Sequence, residues 1–181
     1  MQSPTKMHQP GLAARCLAAI ILSLTITTFG VQAFATTKEH TKGLKAIKKG
    51  DFQGAEKVFR EILVKDARDT EARLGLSFAL LKQRNLQAAY DNAARVVMLD
   101  PLSARAHALL GASILAAGEF RLSIEEFRTA LSLNENEALA VNGLAMVDFY
   151  ENRLASALVG LRRATSMDGD EPDYIFNLGQ A

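Results

Sequence analysis

The apolar positions of this chain fall into two regimes. From Leu17 to Val31 they form one nearly continuous run, and from Thr36 onward they recur every three or four residues, the period of an α-helix with one buried face. The second regime is itself periodic. Blocks of 34 residues follow one another without insertion over 36–69, 70–103, 104–137 and 138–171, and 172–181 begins a fifth. The eighth position of the blocks holds Gly43, Ser77, Gly111, Ala145 and Gly179, and the twentieth holds Ala55, Ala89, Ser123 and Ala157. Columns of small residues are what two closely crossing helices require. Larger apolar residues stand around them. The seventeenth position has Phe52, Leu86, Phe120 and Leu154; the twenty-fourth has Phe59, Ala93, Phe127 and Leu161; the twenty-seventh has Ile62, Val96, Ala130 and Ala164. These spacings put all three columns on one helical face.

Each block therefore predicts two helices. First helices are expected at 38–49, 70–83, 104–117 and 137–151, and second helices at 53–65, 87–99, 121–133 and 154–167. Short polar turns divide them at Gly50-Asp51, Arg84-Asn85, Gly118-Glu119 and Asn152-Arg153, and Pro101 follows a helix that it cannot continue. A period of this length signals a solenoid, in which each helix pair buries its apolar face only against its neighbours.

The stretches Gly50-Asp51-Phe52-Gln53-Gly54-Ala55, Leu110-Gly111, Gly118-Glu119-Phe120 and Leu99-Asp100-Pro101 resemble the tetratricopeptide-repeat family, and the shared register covers the chain from Thr36 onward. The resemblance implies an all-α, right-handed superhelix of four repeats and a partial fifth. Departures from the family pattern are Glu39, Arg73 and His107 at the usually apolar fourth position, Lys42 at the seventh, and Asp148 at an eleventh position that should pack inside. Pro172 to Ala181 reads as a further first helix that either caps the stack or leads into a longer protein, the latter being favoured.

Residues 1–35 stand apart. Lys6 and Arg15 precede the apolar run without any acidic residue, and Ala33-Phe34-Ala35 follows it. This is the pattern of a secretory signal peptide cleaved before Thr36. The expectation is a periplasmic or secreted protein; an uncleaved membrane anchor is the alternative, although Ser and Thr dilute a run barely long enough to span a bilayer. Lys38, Lys42 and Lys45 weaken the charge asymmetry that favours export.

Composition changes the picture only by exclusion. A formal net charge of +1 gives no basis for nucleic-acid binding. The single cysteine, Cys16, lies within the signal segment behind Ala13-Ala14-Arg15, which is no lipobox, so neither a lipid anchor, a disulfide nor a thiolate metal site is expected. His40 and His107 stand in different blocks without metal-ligand spacing, and the glycines form no phosphate loop. No catalytic residue, cofactor, metal or small-molecule substrate is predicted.

Function then rests on the concave face, which in the family is lined by first helices. The resemblance places the partner-binding groove at Leu44, Ile47, Leu74, Phe78, Leu81, Ala112, Leu115, Asn142, Met146 and Phe149, with Phe176 added by the fifth helix. Leu, Phe and Met on a solvated face make an apolar patch that suits a peptide or amphipathic helix of a protein partner; burial between tightly curved first helices is the competing reading. The family's carboxylate clamp for chaperone tails is not expected, since His40 and Leu44 replace its Lys and Asn and Ala112 and Leu115 bring no charge. Lys38, Lys42, Lys45 and Lys49 recur along the first helix and suit an acidic partner, lipid headgroups or simply a solvated terminal face. The reading is a non-catalytic scaffold for envelope assembly or secretion. Its rivals are the recruiting module of a longer exported enzyme and a homo-oligomer joined through the fifth helix.

Overall fold

A computed structural model describes residues 38–168 and 172–180; the expected signal segment and its expected cleavage site lie outside these. Every described element is helical. The helices are α1 (residues 38–48), α2 (Phe52–Lys65), α3 (Thr70–Lys82), α4 (Leu86–Leu99), α5 (Ala104–Ala116), α6 (Phe120–Leu133), α7 (Ala138–Tyr150), α8 (Leu154–Met167) and α9 (Pro172–Gln180). The ends of α1 to α8 differ by at most one residue from those the periodicity predicts.

The boundaries are set by local chemistry repeated in each block. Gly50, Arg84, Gly118 and Asn152 hold the same place in the four within-pair turns, and all have positive φ. There the next amide bonds back into the preceding helix, as in Asp51 N to Ala46 O (2.9 Å) and Asn85 N to Leu80 O (2.9 Å), which satisfies carbonyls that the helix end would leave open. Between pairs, Asp66, Asp100 and Asn134 accept from the amide two residues on (2.9, 3.2 and 3.1 Å), fixing the linker as an Asx turn. Asp51, Asp69 and Ser103 cap the helices that follow them.

Asp69 carries a double duty. Its Oδ1 accepts from the Ala72 amide at 2.8 Å and meets the buried His40 Nε2 at 3.1 Å, so one carboxylate starts α3 and ties it to α1. Replacing Asp69 with alanine is expected to cost about 2 kcal/mol in urea unfolding, roughly a cap plus one hydrogen bond, whereas Asp69→Asn keeps an acceptor and most of the stability.

Packing explains the small columns. Ala55, Ala89, Ser123 and Ala157 are fully buried. A Cβ on Gly43 would come within 2.6 Å of the Phe59 ring, and one on Gly111 within 2.8 Å of the Phe127 ring. The same rings also press on the next pair, where a Cβ at Gly75 or Gly143 would lie 2.3 or 2.2 Å away. Phe59 and Phe127 thus each fill a slot between two glycines of successive first helices. The intervening block solves the volume problem in reverse, with Ala93 in place of Phe and with Ser77 and Leu109 in place of the glycines.

The departures at the fourth position have partners. Arg73 Nη1 donates to Asn92 Oδ1 (3.4 Å) and His107 Nδ1 meets Glu126 Oε2 (2.8 Å), both across a helix pair, while Glu39 accepts from Lys65 (2.6 Å). In the fourth block the fourth position is apolar Val141, and Gly160 stands where Asn92 and Glu126 stand in theirs. Asp148 likewise does not disrupt its repeat, since Arg153 Nε donates to it at 2.9 Å from the turn beyond α7.

Candidate concave binding cleft

First helices pack on first helices, α3 on α5 and α5 on α7, whereas no comparable packing joins α4 to α6 or α6 to α8. The first helices therefore form the inner layer. Between them opens a cleft of about 350 Å³ lined by Phe78, Leu81 and Lys82 of α3, Ala112, Leu115 and Ala116 of α5, and Asn142, Met146 and Tyr150 of α7. Arg84 stands at its rim, Leu139, Gly143 and Phe127 contribute to its wall, and Tyr174 and Asn177 of α9 complete it.

Six of the ten predicted groove residues meet here, namely Phe78, Leu81, Ala112, Leu115, Asn142 and Met146. The other four line no part of this cleft. Ile47 and Leu74 are half-buried against the core, Leu44 is about half exposed, and Phe149 makes an edge contact with Tyr150 at 6.0 Å. Phe78 meets the cleft from its buried wall. At 9% exposure it belongs to the core, in one cluster with Ala108, and Ala112 packs against that cluster. Phe176 is 65% exposed and also lies off the cleft. The residue of α9 that does turn inward is Tyr174, buried at 3% in a column where α3, α5 and α7 carry Ala72, Ala106 and Ala140. An aromatic residue in an alanine column was the available signal.

The accessible apolar side chains are Leu81, Leu115 and Met146, all partly buried, together with Tyr150, which stacks on Phe120 at 5.4 Å and is 56% exposed. Tyr150 is thus a flat platform fixed by its own stacking partner. The charged lining is cationic. Lys82 Nζ sits 5.1 Å from the Phe78 ring centroid and 5.8 Å from that of Phe52, distances at which an ammonium is held by the ring faces. Among the described residues no carboxylate lines the cleft. Beside it, Arg105 donates to Glu137 at 2.7 Å and its guanidinium lies over the same Phe78 ring, 5.8 Å from the centroid. Desolvation lowers the pKa of Arg105, but the charge and hydrogen bond of Glu137, followed by those of Tyr174, outweigh it and raise the value. That guanidinium is thereby committed to tying α5 to α7 and α9. Asn177 Nδ2 donates to Asn142 Oδ1 at 3.1 Å, so Asn142 is a joint between α7 and α9 as well as a lining residue.

Among the described residues no group of three or more His, Cys, Asp or Glu could hold a metal ion, and no helix is long and apolar enough to cross a membrane.

Comparison with known proteins agrees with this architecture. Residues 46–112 match the family model described as Tetratricopeptide repeat. No curated protein matches the chain. Among solved structures, a thermophilic tetratricopeptide-repeat protein of Thermus thermophilus is similar over 80% of both chains, with 18% identity and a TM-score of 0.70. MamA is similar at 25% identity, covering 80% of this chain and 79% of its own, with a TM-score of 0.55. The second such domain of human RPAP3, solved with an HSP70 peptide, matches at 21% identity and a TM-score of 0.55 over 61% of this chain and 92% of its own. At such identities the likeness to the Thermus and human proteins is one of fold.

Proposed function

We propose that this chain is a non-catalytic scaffold that holds a segment of a partner protein in the cleft between α3, α5, α7 and α9. The observation that carries the reading is the cleft's lining. Leu81, Leu115, Met146 and Tyr150 offer apolar surface on an otherwise solvated face, with Lys82 and Arg84 as the charges among the described lining residues. Such a lining suits a short helix or extended peptide that inserts one or two large apolar side chains and carries an acidic group beside them. The human domain solved with a bound HSP70 peptide supports a peptide as occupant, since it shares the fold.

The setting we propose is the cell envelope, with residues 1–35 removed on export and the protein serving assembly or secretion. Support comes from Lys6, Arg15, the run Leu17 to Val31 and Ala33-Phe34-Ala35. The intact mass of protein recovered from an envelope fraction should correspond to a chain starting at Thr36; a mass that includes Met1 counts against it. The alternative, a recruiting module within a longer exported enzyme, draws on an O-GlcNAc transferase of Thermobaculum terrenum. There a stretch of the same fold, 23% identical with a TM-score of 0.64, makes up 26% of the chain.

The binding reading is tested by photocross-linking. A photoreactive residue at Met146 should capture a distinct protein in envelope extract, and the same residue at the 70% exposed Val159 of α8 should not. Equal capture from both places would sink the cleft as the binding site.

A further inference from the structure

The cleft has a low floor and two unlike walls, and the repeat register shows why. Residues one block apart hold equivalent places in successive first helices. Through α3, α5 and α7, one such column runs Phe78, Ala112, Met146 and another runs Lys82, Ala116, Tyr150. In both columns the middle helix carries alanine, so α5 is a trough between taller neighbours. Helices α3 and α7 each pack on α5 and make no comparable contact with one another. Lys82 and Tyr150 therefore line the trough from opposite walls, with Ala116 between them.

Both walls favour the same kind of occupant. The Tyr150 ring lies parallel to that of Phe120, with 5.4 Å between centroids and 8° between planes, and Phe149 meets it at an angle. Its orientation is thus fixed in the free protein, so little ordering remains to be lost on binding. Yet 56% of the residue stays in solvent, whereas Leu115 and Met146 beside it are partly buried. A further ring added to such a stack gains more than its buried area alone would give. On the other wall stands the Lys82 ammonium, already over the Phe78 and Phe52 rings. Any occupant of the trough displaces water from that charge. A saturated side chain returns nothing for the lost water, but the face of an aromatic ring does. The alanine floor does not discriminate between the two.

We propose that the partner segment seats an aromatic side chain on Tyr150, within reach of the Lys82 ammonium, and that Tyr150 makes the cleft select Phe, Tyr or Trp over Leu, Ile or Met. The inference rests on the cleft being the binding site. It assigns different parts to the lining. Tyr150 and Lys82 read the ring, Leu115 and Met146 supply apolar surface beside it, and the exposed Arg84 at the rim is left for the segment's acidic group.

The test uses the full chain and a displayed library of random peptides. Binders selected on the parent are counter-selected on the Leu115→Glu, Met146→Glu variant, so that only ligands of the cleft remain. These should share one aromatic position. Tyr150→Leu, with an unfolding midpoint matched to the parent's, should bind such a peptide about threefold to tenfold more weakly, and Tyr150→Phe, which keeps the ring, should restore most of the affinity. A peptide whose aromatic residue is exchanged for leucine should bind the parent and Tyr150→Leu alike, which a merely structural role of Tyr150 would not produce. Cleft ligands without a shared aromatic residue, or equal loss from Tyr150→Leu for both peptides, overturn the inference and leave the cleft as the binding site. If no selected peptide is lost on the Leu115→Glu, Met146→Glu variant, the cleft reading falls and this inference falls with it.

Discussion

Replacing Phe127 with alanine destabilises the protein by about 3–5 kcal/mol, the range for deleting a fully buried aromatic side chain. The ring has no exposure, and it fills the slot between Gly111 of α5 and Gly143 of α7. Because a Cβ at either glycine would collide with it, both helices have been brought close to accommodate this ring and no other. Truncation leaves a void at a junction of two repeats, where a solenoid has only nearest-neighbour contacts to hold it. The expected result in urea is a midpoint shift of that size with the helical signal in water retained; a loss below about 1 kcal/mol would show that the slot collapses freely. The second block supplies a rescue. Ala93 there stands in the place of Phe127, and Leu109 in that of Gly143. Adding Gly143→Leu to Phe127→Ala copies that arrangement and should recover at least half of the loss, while Gly143→Leu alone should destabilise strongly.

This complementarity was only half legible in the sequence. The eighth and twentieth positions are small in every block, so a column reading finds them. The sixth position holds Gly75, Leu109, Gly143 and Asn177, which looks like no pattern until it is paired with the size of the ring in the preceding block. The fourth position is similar. Arg73 and His107 look like violations when read alone, and become hydrogen-bonded pairs once Asn92 and Glu126 of the second helices are placed beside them. Helix ends were readable to within a residue because each depends on local chemistry, a positive-φ turn or an Asx cap. The cleft was less readable because it depends on how closely first helices approach. Periodicity places Phe78 and Met146 in the same column, yet the cluster around Ala108 takes Phe78 into the core while Met146 stays partly exposed. Tyr174 escaped notice for a like reason, since a single turn of sequence does not reveal that its side chain closes the cleft.

The second large effect concerns binding. Introducing Leu115→Glu and Met146→Glu together should weaken the partner's affinity by at least about a hundredfold, or roughly 2.7 kcal/mol. Both side chains line the cleft from adjacent first helices and both keep part of their surface in solvent. The free protein can therefore hydrate the new carboxylates and stay folded, whereas a bound apolar segment must strip them of water, at a cost typical of central interface residues. Phe78→Glu would be a poor probe, because it buries a carboxylate in the core and loses binding by unfolding. The measurement that decides the account is a calorimetric titration of the segment cross-linked from Met146 against the parent and the double variant, with unfolding midpoints compared first. Equal midpoints with a hundredfold weaker affinity are the predicted result. Equal midpoints with affinities within about threefold of each other would contradict the account, and place the partner on some other surface.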